Sequence, residues 1–273
     1  MRFILAAEKT TPFMLESSCL LELLEPDEYK IAWPPFKDFQ INNPMLYLIL
    51  EKRGAGNVLT DSKINPSFVL VYNPASYTFL GGELDQVSLQ TVSAYLKTLP
   101  KVCLACPTGW KYRPFFEKEG FTPVDRIQFR RAKSLVKVHE WKSQLPPEYN
   151  ISKIEKKNFD QCKWQPILLS FYGDEKRFFD QTVGFCLSDE NGCVVSESHA
   201  LISTGKAEIG VFTDENYRGK NLGTIVCAFM LDYCYAHDLE PFWSCNQTNP
   251  ASASVAKKLG FEEELRYIFL KWP

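Results

Sequence analysis

Residues 101–131 can be laid over residues 241–271 without a gap. Thr108 then falls on Thr248, Lys118 on Lys258, Gly120 on Gly260, Phe121 on Phe261, Arg126 on Arg266 and Phe129 on Phe269. Identities this sparse carry little alone. Both stretches, however, also read in the same order of strand, helix closed by Gly-Phe, and strand. The match implies a chain of two similar halves. The alternative is two unrelated α/β segments that each end a helix with Gly.

The rest of the pattern fits two halves. In the first, 45–50, 67–72 and 77–80 are short, apolar and strand-like, the last closed by Gly81-Gly82. Residues 84–99 place apolar side chains near helical spacing and stop before Pro100. A strand over 102–105, a helix over about 111–118 and a strand around 127–129 follow. A polar bridge over 133–147 ends in Pro146-Pro147 and marks the candidate boundary, though the alternation of Val136 and Val138 suggests a strand within it. The second half reads β-α-α-β-β-β-α-β-α-β. Its elements are a strand at 151–154, a helical stretch at about 157–171 bent at Pro166, and a helix at 176–181. A hairpin then turns at 189–192, followed by a strand at 208–213 and a helix at 224–236. A strand at 242–245, a helix at 250–259 and a strand at 266–271 complete it.

Composition narrows the function. The 273 residues give room for one large domain or two of ordinary size. With 45% hydrophobic and 23% charged residues, the chain is globular rather than disordered. A formal net charge of −2 leaves no basic excess for nucleic acid and no acidic tail for a basic partner. The apolar start, Met1 to Ala7, is too short for a signal-peptide core and is closed by Glu8 and Lys9. No run reaches the roughly 18 apolar residues of a membrane span, so a cytoplasmic protein without membrane association is expected. The 9 cysteines are scattered and read as small buried hydrophobes. Cys103 and Cys106 form the one C-x-x-C, but residues three apart in a strand point to opposite faces, so no metal or redox site is expected there.

Residues 208–224 carry the chemistry. They read as a strand, a polar turn and a glycine-bearing loop that opens a helix. A helix N-terminus offers unpaired N–H groups and the positive end of a dipole, which suits phosphate oxygens. Gly219 and Gly223 let the backbone approach a ligand, and Arg218 and Lys220 add positive charge. The P-loop and dinucleotide fingerprints are both absent. Arg218-Gly219-Lys220-Asn221-Leu222-Gly223 closely resembles motif A of the GCN5-related N-acetyltransferases. That loop reads Gln or Arg, any two residues, Gly, any residue, then Gly or Ala. Asn249, the helix after it and Lys258-Leu259-Gly260-Phe261 are similar to a second family stretch at its usual spacing. The resemblance covers residues 149–273. Trp243-Ser244-Cys245 with Asn249 and Ser252 also resembles a bacterial subgroup that includes zwittermicin-resistance-like acetyltransferases.

The resemblance implies an α/β (α+β mixed) fold, with a central mixed, mostly antiparallel sheet flanked by helices. It implies a degenerate half over 1–132, a linker over 133–148 and the acetyl-CoA-binding catalytic half over 149–273. Acetyl-CoA would be the cosubstrate. Arg218, Gly219, Lys220, Asn221, Leu222, Gly223 and Thr224 would hold its pyrophosphate. Val211, Phe212 and Thr213 would pair with its pantetheine arm, and Asn249 and Ser252 would complete the set. A neutral amine on a small molecule would attack the thioester directly, with no metal required, in a monomer or homodimer. Glu208 is the candidate base.

Two positions depart from the family. Asn221 stands where the loop's first central Gly is usual, and Asn tolerates the left-handed region better than most non-Gly residues. Ala256 replaces the Tyr that often protonates the leaving thiolate, leaving Ser254, Ser252 or Tyr217 as acid candidates. A rival reading is a non-catalytic acyl-CoA-binding sensor or scaffold. Against these stand plainer roles: a salt-bridged Glu208, a structural His199, and core packing for Trp164, Phe171, Tyr172, Phe178 and Phe179.

Overall fold

The computed structural model describes residues 21–39, 41, 43–131 and 136–273. The stretch Met1 to Lys9 and the start of the polar bridge, residues 133–135, lie outside the described residues.

A short strand β1 (Glu22–Leu23) and two 3-10 turns lead into helix α1 (Pro44–Leu50). The apolar run 45–50 is therefore a helix and not the expected strand. Asn43 caps it by accepting the Met45 amide at 3.2 Å, and Pro44 presets its first turn. Met45, Leu46, Leu48, Ile49 and Leu50 are all buried. A run buried all round has no periodicity by which helix and strand differ.

Strands β2 (Asn57–Thr60), β3 (Phe68–Tyr72) and β4 (Tyr77–Gly82) follow, then helix α2 (Gln86–Thr98) and strand β5 (Val102–Cys106). Helix α3 (Arg113–Lys118) and strand β6 (Thr122–Arg131) close the first half. The bridge contains helix α4 (Val136–Lys142), not a strand.

The second half runs β7 (Asn150–Lys153), α5 (Lys156–Phe159), α6 (Gln165–Tyr172), α7 (Glu175–Gln181), β8 (Gly184–Ser188) and β9 (Val194–Ser203). It continues through β10 (Lys206–Thr213), α8 (Leu222–Ala236), β11 (Glu240–Asn246), α9 (Pro250–Lys258) and β12 (Phe261–Trp272). The helical stretch expected to bend at Pro166 is two helices, with Pro166 in the first turn of α6. Helix α4 packs on α8: Val138 is fully buried, and Lys142 pairs with Asp232.

All the strands join one sheet in the order β1-β2-β3-β4-β5-β12-β6-β11-β10-β9-β8-β7. Among the described residues only β4–β5 and β10–β11 pair in parallel, so the sheet is mixed and mostly antiparallel. The last strand of each half lies in the other half's part of the sheet. β12 sits between β5 and β6, and β6 sits between β12 and β11. Packing follows the strands. Ile127 and Phe129 of β6 join the core beneath α8, while Ile268 and Leu270 of β12 join the core beneath α2 and α3. A third core on the opposite face joins both halves, with Val69, Ala105, Phe171 and Phe269 in one cluster. Cys103 lies in that shared core and Cys106 in the one beneath α2, which is the alternation a strand requires.

Candidate active site

Strands β10 and β11 pair only from Lys206 opposite Glu240 to Glu208 opposite Phe242. Both run on, β10 to Thr213 and β11 to Asn246, without pairing further with each other. A cleft of about 810 Å³ occupies the gap. Residues 208–213 line one side and residues 243–246 the other, and the loop into α8 lines its outer end.

That loop turns through left-handed backbone at Gly219 (φ 81°) and again at Asn221 (φ 60°, ψ 11°), which is the N-cap of α8. Thr224 and Ile225 donate their amides to the Asn221 carbonyl at 2.9 and 3.0 Å. Among the described residues, the amides of Gly219, Lys220, Asn221, Leu222 and Gly223 donate to no other group of the chain. Five such donors at the positive end of a helix dipole have the chemistry to cradle an anion. A Cβ on Gly223 would lie 2.9 Å from Thr213 Oγ1, so Gly lets α8 start close against β10.

The charges around this cradle differ from the expectation at one position. Arg218 lines the cleft and donates from Nε to the Thr213 carbonyl at 3.3 Å. Lys220 does not line the cleft; its Nζ donates to the Tyr149 hydroxyl at 3.2 Å and lies over the Tyr149 and Tyr217 rings. Lys258 faces the cleft instead and donates to Asn221 Oδ1 at 2.7 Å. Lys258 is not among the expected site residues, although it stands in the Lys-Leu-Gly-Phe stretch.

Asn249 caps α9 by accepting the Ser252 amide at 3.1 Å, and the Ser252 hydroxyl accepts the Trp243 indole N–H at 3.0 Å. Both line the cleft, as does the exposed Ser254. Tyr217 donates its hydroxyl to Asp189 at 2.8 Å. Ala256 is fully buried in the core beneath α8.

Deeper in the cleft, Glu208 accepts a hydrogen bond from the Ser244 hydroxyl. Ser244 Oγ accepts in turn from Arg126 Nη2 at 2.9 Å. Arg126 also donates to Asn246 Oδ1 at 2.8 Å and to the Tyr267 hydroxyl at 3.3 Å, with its guanidinium 4.7 Å from the Phe269 ring centre. Burial pushes the Glu208 carboxyl above its ordinary value, while the Ser244 hydrogen bond and the Arg126 charge hold it back. Burial likewise raises the hydroxyls of Tyr77 and Tyr267 beside it. Arg126, Ser244 and Tyr77 were not among the expected site residues. In the sequence Arg126 stands out only as a repeated position, laid over Arg266.

His199 stands opposite Gly210 in the β9–β10 ladder. A Cβ on Gly210 would come within 2.6 Å of both His199 and Trp164, so Gly lets these two rings lie on the strand. The rings meet edge to face at 4.9 Å. Burial lowers His199 to about 3, so the imidazole is neutral at ordinary pH. Trp164 is held by the buried Glu197 carboxylate, which accepts the amides of Trp164 and Lys163 at 2.7 and 2.9 Å. Of the five aromatic residues for which core packing is the plainer role, Trp164 and Phe171 line the cleft. Tyr172 and Phe178 are core residues, and Phe179 packs against the same core. Among the described residues, no cluster of three His, Cys, Asp or Glu side chains could hold a metal, and no helix is long and apolar enough to cross a membrane.

A protein of Bacillus subtilis (strain 168), the uncharacterized N-acetyltransferase YdfB, is 22% identical over 237 residues, covering 81% of this chain and 87% of that protein. The crystal structure of a GCN5-related N-acetyltransferase-like protein from Streptococcus suis 89/1591 superposes with a TM-score of 0.74 at 22% identity, covering 90% of this chain and 99% of the other. A tandem GNAT protein from the clavulanic acid biosynthesis pathway superposes with a TM-score of 0.60 at 13% identity, covering 92% and 98%. At these identities the likeness is one of fold. The family model described as GNAT acetyltransferase matches residues 36–270, from ahead of α1 into β12, and the chain belongs to that family.

Proposed function

We propose that the protein is an acetyl-CoA-dependent N-acetyltransferase acting on an amine of a small molecule in the β10–β11 cleft. The observation that carries this reading is the meeting, in one cleft, of Gly219, Asn221, Leu222 and Gly223 at the start of α8, whose amides are free, and the carboxylate of Glu208. Acetyl-CoA supplies the thioester. The amides of residues 219–223, with Arg218 and Lys258, suit its pyrophosphate, and Val211, Phe212 and Thr213 offer a free strand edge to its pantetheine amides. Asn249 and Ser252 line the facing wall.

Glu208 takes the proton that the amine nitrogen loses as it bonds to the thioester carbonyl carbon. The carbon–sulfur bond then breaks, and the sulfur leaves as thiolate and takes up a proton. Ser254 and Ser252 are better-placed acid candidates than Tyr217, because the Tyr217 hydroxyl already donates its proton to Asp189, while the Ser252 hydroxyl accepts the Trp243 N–H and keeps its own. The eight described cysteines are all free, which supports a cytoplasmic setting. We keep the reading of a place near the zwittermicin-resistance-like members on the sequence Trp243-Ser244-Cys245 with Asn249 and Ser252 alone.

We read the two halves, 1–132 and 149–273, as tandem acetyltransferase-like units that exchange last strands, with only the second binding acetyl-CoA. β4 and β5 pair in parallel over Tyr77 and Thr78, much as β10 and β11 do. The equivalent helix start is closed, however. The Leu84 amide donates to the Tyr112 hydroxyl at 2.7 Å, Asp85 caps α2, and Glu83 adds a carboxylate of the wrong sign for phosphate.

Loss of the usual Tyr at Ala256 favours a second reading, a non-catalytic acyl-CoA sensor or scaffold. Release of CoA thiol across a panel of amines separates the two. The enzyme reading expects turnover that falls about 10²-fold in Glu208→Gln with acetyl-CoA affinity kept. Acetyl-CoA binding without turnover of any amine would favour the sensor.

A further inference from the structure

The acceptor end of the cleft is walled from both halves. Trp164, Ile167 and Phe171, spaced three and four residues apart, share one face running along α6 from the residue before its first turn. Tyr77 of β4 meets the Phe171 ring edge-on at 5.9 Å, and Met45 of α1 and Leu201 of β9 complete an apolar surface. Ile167 keeps 36% of its surface exposed, at the mouth.

The charges are sparse and already matched. Among the described residues lining the cleft, Glu208 is the one carboxylate. It is tied through Ser244 to Arg126, and the remaining cations, Arg218 and Lys258, lie at the cradle. His199, beside Trp164, adds no charge while neutral. A second ammonium on the acceptor would therefore be desolvated without a counter-ion and would face Arg126. Hydroxyls spread along an acceptor would find few partners on ring and alkyl walls. An aromatic or aliphatic body would cover those walls and displace water.

We propose that the acceptor is a monoamine, its amine at the end of an apolar, ring-sized body, and that polyamines and polyhydroxylated amines are discriminated against. The inference rests on the acetyltransferase reading. It adds which amines the cleft takes, with Ile167 at the mouth as a specificity position.

The test compares a phenylalkyl monoamine with an α,ω-diamine of the same chain length, by CoA thiol release at saturating acetyl-CoA and fixed pH. The wild type should favour the monoamine in kcat/KM by about 10²-fold, the scale on which hydrophobic sites discriminate. Ile167→Glu places an anion at a partly exposed position without disturbing the core. It should narrow the ratio by about tenfold through a lower monoamine value and a higher diamine value. Equal or better use of the diamine by the wild type would overturn the proposal while leaving the acetyltransferase reading intact, and so would an unchanged ratio in Ile167→Glu. Failure of both amines to release thiol, with acetyl-CoA bound in calorimetry, would overturn the proposal, and the acetyltransferase reading falls with it only when the wider panel of amines also releases none.

Discussion

Arg126 of β6 donates from Nη2 to the Ser244 hydroxyl of β11 at 2.9 Å, across 118 residues of sequence, and thereby turns the hydroxyl proton toward Glu208. The candidate base of the second half is thus set by an arginine from the first half, brought there by the place of β6 between β12 and β11 in the sheet. Ser244 lowers the Glu208 pKa against the larger upward push of burial. Ser244→Ala removes a bond made to the charged form, so the acidic limb of the kcat/KM profile should move to higher pH. An unmoved limb would mean that Ser244 does not tune the base.

Asn221 holds φ 60° at the N-cap of α8, where its Oδ1 also takes the Lys258 ammonium. Asn221→Gly should keep acetyl-CoA affinity, because Gly adopts this conformation freely. Asn221→Val should lose it, because a β-branched residue there is strained. Calorimetric titration of both variants checks this, and equal affinities would contradict it.

The three cations near the cradle should behave unequally. Arg218→Ala and Lys258→Ala should each weaken acetyl-CoA binding by about tenfold or more, the scale of a hydrogen bond to a charged group. Lys220→Ala should change it little, since its ammonium is turned to Tyr149. Dissociation constants measured at one ionic strength decide the order.

His199 makes stability depend on acid. Its folded pKa, about 3, lies below the ordinary 6.5. Between these values the unfolded chain takes up a proton that the folded one refuses. Stability contributed by the neutral imidazole is complete above pH 6.5 and is lost as pH falls toward 3. Over that window the wild type should lose up to about 1.4 kcal/mol per pH unit more than His199→Gln. The carboxylates raised by burial, Glu197 and Glu208, are present in both proteins. Denaturant melts of the pair at several pH values give the difference, and parallel slopes would contradict it.

What could be read in the sequence was local. The loop after β10 needs backbone at positive φ, and only Gly219 and Asn221 supply it cheaply, so the residues name the shape. Gly120 and Gly260 mark equivalent helix ends for the same reason, both at positive φ. Helix α1 was not legible, because a run buried on every side shows neither period. Helix α4 was misread because Val136 and Val138 are two apart; burial of Val138 and the Lys142–Asp232 pair place that segment on α8 as a helix. The Arg126–Ser244–Glu208 arrangement was out of reach, since it depends on which strands become neighbours. Apolar alternation gives a strand's faces but not its partners.

Titration of acetyl-CoA into the wild-type protein by calorimetry tests the central claim most directly. The account predicts one equivalent bound per chain, at the β10–β11 cleft, with binding lost in Asn221→Val. Two equivalents would contradict the closed first half, and an absence of binding would contradict the anion cradle itself.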